Sequence, residues 1–150
     1  MHKLVIALMI AIAGAGPVMG GETADVMAPV RQFINGFNSR DVKTATEACT
    51  DKLFIIDDFP PHAWGGPDAV SKWLDDLQIF GKKNDSSDWF VTLGKPRHVD
   101  VTDAHAYVVV PTQLRYKKKG QLVEEAGLMT LVLHKGESGW RIAAWSWADD

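Results

Sequence analysis

Residues 53 to 66, LFIIDDFPPHAWGG, place two adjacent carboxylates, Asp57 and Asp58, then two prolines, a histidine and a tryptophan directly after an apolar run. A carboxylate desolvated among aromatic side chains has a raised pKa and suits the removal of a proton beside a carbonyl. His62, in the same corner, would add a second titratable group, and a His-Asp pair supplies acid-base chemistry. Neighbouring side chains of an extended strand point to opposite faces, so the spacing predicts that only one of the two aspartates enters an interior pocket. Two plainer roles stay open: a carboxylate that accepts backbone N–H groups in the following loop, and a loop histidine that faces solvent.

Other chemistry is sparsely indicated. No HExxH, paired CxxC or HxH spacing occurs, so neither a metal nor a cofactor is expected. Cys49 is the single cysteine, which excludes an intrachain disulfide and reads as a small buried residue on a helix. The formal charge of −3 gives no electrostatic reason to expect nucleic acid or an anionic membrane surface as partner. Lys117-Lys118-Lys119 reads as a solvated hairpin tip. The chain carries 6 tryptophans, and Trp145 and Trp147 are expected on one strand face with Arg141. They would pack, line an aromatic ligand site, or form a dimer seam.

These residues need elements to position them. Residues 1–20 have the layout of a secretory leader: His2 and Lys3, an apolar run from Leu4 to Ala13, then small residues. The run is short of the ~20 residues a membrane-spanning helix needs, so a periplasmic or secreted protein without a membrane anchor is expected, with one domain over residues 21–150. Val26, Val30, Phe33, Ile34 and Phe37 recur at helical spacing from Thr23 to Asn38, with the regular helix starting near Pro29. A short helix over residues 42–49 and a brief strand over 53–58 follow. Gly66-Pro67-Asp68 opens a third helix, with Val70, Trp73, Leu74 and Leu77 as its buried stripe and its end near Gly81. The second half alternates β-branched and aromatic residues, which predicts strands near 88–99, 104–117, 121–134 and 139–148. A two-residue turn at Lys119-Gly120 would set Arg115 opposite Glu124. Helices first and strands second make an α+β domain.

The segments FINGFNSRDVKTATEACT, IIDDFPPHAWGGPDAVSKW and WRIAAWSWA resemble the nuclear transport factor 2-like superfamily, within it the SnoaL-like and ketosteroid isomerase-like group. The resemblance lies in Asn38 and Asp41 after the first helix, Asp58 at the strand end and the Gly-rich approach to the third helix. It implies a cone-like fold of about three N-terminal helices packed on a curved, mainly antiparallel sheet around an apolar pocket, and a homodimer through the sheet. It also places the isomerases' catalytic-base aspartate on Asp58. The family's two oxyanion donors, a tyrosine and a protonated aspartate, fall on Phe33 and near Met129, which donate nothing; Tyr107, Tyr116 or a tryptophan N–H would have to replace them. Losing one such donor typically costs about 2.7 to 4 kcal/mol in the transition state.

The superfamily fold hosts many activities, so function rests on the pocket. The leading expectation is an exported SnoaL-like protein that binds a small apolar or aromatic molecule. Asp58 would be the pocket acid, His62, Tyr107 and Gln113 its polar partners, and Phe33, Trp64 and Trp73 the wall. An isomerase or dehydratase using Asp58 as general base, with His62, is the second expectation. A non-catalytic dimerisation or interaction module is the third.

Overall fold

The computed structural model describes residues 19–150, so all but the last two residues of the expected leader lie outside the described residues. Helix α1 (Met19–Ser39) includes Pro29 within its length and starts before Thr23. A proline removes one i→i−4 hydrogen bond, but Val26, Met27 and Val30 are buried on both sides of it and hold the helix together. Helix α2 (Val42–Glu47) is capped by Asp41, whose carboxylate accepts from the Thr44 N–H at 3.1 Å. It ends before Cys49, which is the first residue of strand β1 (Cys49–Ile56) rather than helical. Gly36 lets α2 approach α1 closely: a Cβ there would stand 2.5 Å from the Ala45 backbone nitrogen.

A short strand not foreseen from the sequence, β2 (Ala63–Gly65), pairs antiparallel with β1. Helix α3 (Ala69–Asn84) follows, with Asp68 at its N-cap and Pro67 just outside, and it continues one turn beyond Gly81. The strand expected over 88–99 is two strands, β3 (Ser86–Leu93) and β4 (His98–Thr102), interrupted around Gly94 and Pro96. Long strands β5 (His105–Lys118), β6 (Gln121–Gly136) and β7 (Gly139–Asp149) complete the sheet. Its order is β2-β1-β7-β6-β5-β3, with β4 also on β5. All pairings are antiparallel except β1 with β7, so three helices pack on a mixed, mostly antiparallel open sheet.

Arg115 does pair with Glu124, as the Lys119-Gly120 turn requires, and both turn residues have positive φ. Strand β7 departs from simple alternation. Val132 pairs with Ala144 but Leu133 with Ile142, so Ala143 is an extra residue in the ladder. This bulge reverses the faces along β7. Ile142, Trp145 and Trp147 therefore point to the helices, and Arg141 does not share their face, contrary to the expectation from spacing.

Helix α1 is fastened to the sheet by one amide. Asn38 Nδ2 donates to the Val91 carbonyl and its Oδ1 accepts the Val91 N–H, both at 2.8 Å. The side chain thus stands in for a neighbouring strand, and Val91 is held as part of the interior wall. Asn38→Ala is expected to destabilise the fold by about 1–3 kcal/mol, because it orphans two half-buried backbone groups. Chemical denaturation checks this; an unchanged midpoint would contradict it.

Candidate functional site

Between the helices and the inner sheet face lies a cavity of about 270 Å³. The sheet builds it by alternation. On β5 the inward residues run Val108, Val110, Thr112, Leu114, Tyr116; on β6 they run Leu131, Met129, Gly127, Glu125; on β7 they run Trp145, Trp147, Asp149. Read in register, apolar side chains occupy the inner end and polar ones the outer end. Gly127 leaves room for the Trp147 indole to lie against the strand; a Cβ there would collide with the ring. Trp147 Nε1 donates to Thr112 Oγ1 at 3.0 Å, which fixes the indole across β5 and β7.

The inner end is aromatic. Phe33 from α1, Trp73 from α3 and Trp145 from β7 meet in a triad, with ring centroids 6.0, 5.5 and 5.1 Å apart. Trp145 is 4% exposed, and its indole nitrogen has no hydrogen-bond partner among the described residues.

Both aspartates of the corner line the cavity, which corrects the expectation that only one would. Strand β1 stops at Ile56, and the Asp57 N–H turns to the His62 carbonyl, so the pleat that would have separated the two side chains has ended. Asp57 is the deeper, at 9% exposure. Its Oδ2 accepts from Trp73 Nε1 at 2.8 Å and its Oδ1 from the Asp58 N–H at 2.8 Å. Burial nevertheless pushes its carboxyl up to about 6, partly offset by the Trp73 and Asp58 donors. Asp58 sits nearer solvent. Desolvation first, then the Asp149 and Glu125 charges, raise its carboxyl above the ordinary range. Tyr116 donates its hydroxyl to Glu125 Oε1 at 2.7 Å, and burial with that bond pushes the phenol up to about 12.

Phe33 and Trp73 lie in the wall as expected, and Met129 faces the cavity too, so neither Phe33 nor Met129 offers a donor. Four expected residues stand elsewhere. His62 has φ 72° and its Nδ1 lies 3.1 Å from the Asp57 carbonyl, so the ring serves the turn and stays outside the lining. Trp64 is buried behind the wall, packing on Phe59 and donating to Asp76 on α3. Tyr107 and Gln113 fall on the outer sheet face, because β5 turns its even-numbered residues inward. Sequence reasoning passed over Asp57, Glu125 and Asp149 as site residues. Continuing the β5 and β6 alternation outward from Val110 and Met129 would have found Glu125. Among the described residues no group of three or more His, Cys, Asp or Glu side chains could hold a metal ion, and no helix is long and apolar enough to cross a membrane.

Residues 26–147 match the family model of the SnoaL-like domain, and the chain belongs to that family. No curated protein matches it. Solved structures share the fold. A ketosteroid isomerase-like protein from Erwinia carotovora atroseptica is 20% identical with a TM-score of 0.67, over 85% of this chain and 95% of that one. An NTF2-like protein with a cystatin-like fold from Novosphingobium aromaticivorans is 12% identical with a TM-score of 0.69, over 87% and 83%. A hexachlorocyclohexane dehydrochlorinase, LinA type 2, is 8% identical with a TM-score of 0.74, over 88% and 87%. The architecture is therefore that of the nuclear transport factor 2-like superfamily, as the sequence resemblance implied.

The Asp57 carboxyl makes stability depend on pH in a defined direction. Its folded pKa of about 6 lies above the ordinary aspartate value of 3.8, so between these values the folded state binds more protons. Its contribution is present below pH 3.8 and is lost as pH rises through about 6. Carboxyl ¹³C NMR is expected to show Asp57 titrating near pH 6. A midpoint in the ordinary aspartate range would contradict its burial.

Proposed function

We propose that the chain binds a small apolar or aromatic molecule in this cavity, with the Asp57-Asp58 pair at its polar side. The observation that supports this most is the volume of about 270 Å³ walled by Phe33, Trp73, Trp145 and Trp147. A dry apolar cavity of about 150 Å³ takes a benzene, so this one suits a body of roughly two fused rings. A second reading is an isomerase or dehydratase in which Asp58 is the general base. Asp58 favours it because its carboxyl is raised and stands nearer solvent than that of Asp57. Against enolate chemistry stands the supply of donors beside Asp58: Trp73, Trp147 and Tyr116 spend theirs on Asp57, Thr112 and Glu125, and the unspent Trp145 indole N–H lies at the inner, aromatic end. Binding therefore ranks first.

Two further parts belong to the same proposal. The chain is exported by a leader over residues 1–20, as the basic start and apolar run of the sequence support. It pairs with a second copy through the outer sheet face, where Phe54 and Ile56 of β1 are 47% and 49% exposed. Native mass spectrometry tests the dimer.

Calorimetric titration with naphthalenemethanol, a neutral bicyclic probe, tests the cavity. Saturable binding is expected, weakened at least tenfold by Leu114→Trp, which fills the space, and retained in Asp58→Asn. Equal binding by the filled variant would contradict the site. For the catalytic reading, Asp58→Asn would have to lose turnover of a genuine substrate while still binding it.

A further inference from the structure

The charges of the cavity lining are one-sided. Four carboxyl groups face it, Asp57, Asp58, Glu125 and Asp149, against one basic residue, Lys118, which stands exposed beyond Tyr116 at the end of β5. Asp58, Glu125 and Asp149 line the cavity from three different elements: the corner after β1, strand β6 and strand β7. They are near enough that the Asp149 and Glu125 charges act on the Asp58 carboxyl, and those of Asp58 and Asp149 on the Tyr116 phenol. None of the three carboxylates forms an ion pair among the described residues, whose salt bridges all lie elsewhere. A protein surface normally separates or pairs such charges; three of one sign around an apolar opening focus a field that favours a cation.

The opposite end supplies an independent observation. Trp145 is 4% exposed in the aromatic wall, and its indole N–H has no acceptor among the described residues. A buried donor without a partner is uncommon and costs stability. An aromatic ring is one of the groups that can receive such an N–H, through its π face. The cavity thus joins an aromatic inner end with an unmet donor to an outer end of unmet negative charge.

Resting on the binding reading above, we propose that the ligand is an organic cation: an aromatic body seated against Phe33, Trp73 and Trp145, carrying a protonated amine held among Asp58, Glu125 and Asp149. The indole faces of the wall add to this preference, since aromatic faces attract ammonium groups. Lys118 acts in the opposite sense, and its exposure leaves its charge screened by solvent.

Three probes with one bicyclic body and different charge test this at low salt and near neutral pH by titration calorimetry: naphthylmethylamine, naphthalenemethanol and naphthoate. The amine is expected to bind about tenfold more tightly than the alcohol and the carboxylate most weakly, with the amine's advantage shrinking as salt is added. The double variant Glu125→Gln, Asp149→Asn keeps an acceptor for Tyr116 and is expected to lose most of the amine's advantage over the alcohol. Thermal melting of the variant checks that it is folded; if it is not, Asp149→Asn alone, at an exposed position, is expected to reduce the advantage in part. Alcohol or carboxylate binding as tightly as the amine, or an advantage that survives the charge removal, overturns the cation proposal and leaves the cavity as a neutral site. No binding by any of the three overturns the binding reading, and the cation proposal with it.

Discussion

A carboxyl group taken out of water has to find donors or hold its proton, and Asp57 does both. Trp73 Nε1 and the Asp58 N–H occupy its two oxygens, while burial moves its titration to about pH 6. The first of those bonds ties α3 to the end of β1 across the molecule. It places the Trp73 ring where Phe33 and Trp145 can close the aromatic triad. Without the donor, a charge in this position would carry an uncompensated desolvation cost. The corner, the helix and the inner end of the cavity therefore depend on one indole–carboxylate contact.

From that contact the cavity grades outward in chemistry along a single sheet face. The β5–β6 register carries the wall from Val110 and Met129 to Tyr116 and Glu125, and the bulge at Ala143 turns Trp145 and Trp147 to meet it. The helices close the other side, held by the Asn38 clamp on Val91 and by Trp64 on Asp76. A wall set by so many ladder and side-chain bonds is largely pre-formed, as small-molecule sites generally are. It combines a few placed polar groups with broad apolar area.

Much of the architecture was legible because its signals are local. Periodicity marked the α3 stripe from Val70 to Leu77, and the Lys119-Gly120 turn fixed the β5–β6 register with Arg115 opposite Glu124. Alternation misled where a strand ended or slipped. Asp57 and Asp58 were read as opposite faces of a strand that stops before both, at Ile56, and Arg141 was joined to Trp145 across a bulge that no residue type announces. Tyr107 and Gln113 were chosen by type, whereas parity along β5 sends them outward. Glu125 follows from continuing the β6 alternation beyond Met129, but that it lines one cavity with Asp58 and Asp149 does not, because only the folded sheet brings these segments, far apart in sequence, to one space.

A ligand seated in the aromatic-walled space beside Asp57, as proposed, would be reported directly by the tryptophans. Trp73, Trp89, Trp145 and Trp147 line the cavity, and Trp64 and Trp140 do not. In a ¹⁵N-labelled protein, adding naphthylmethylamine is predicted to shift the indole N–H signals of the four lining residues well beyond those of Trp64 and Trp140. Shifts confined to Trp64 and Trp140, or spread evenly over all six, would contradict binding in this cavity.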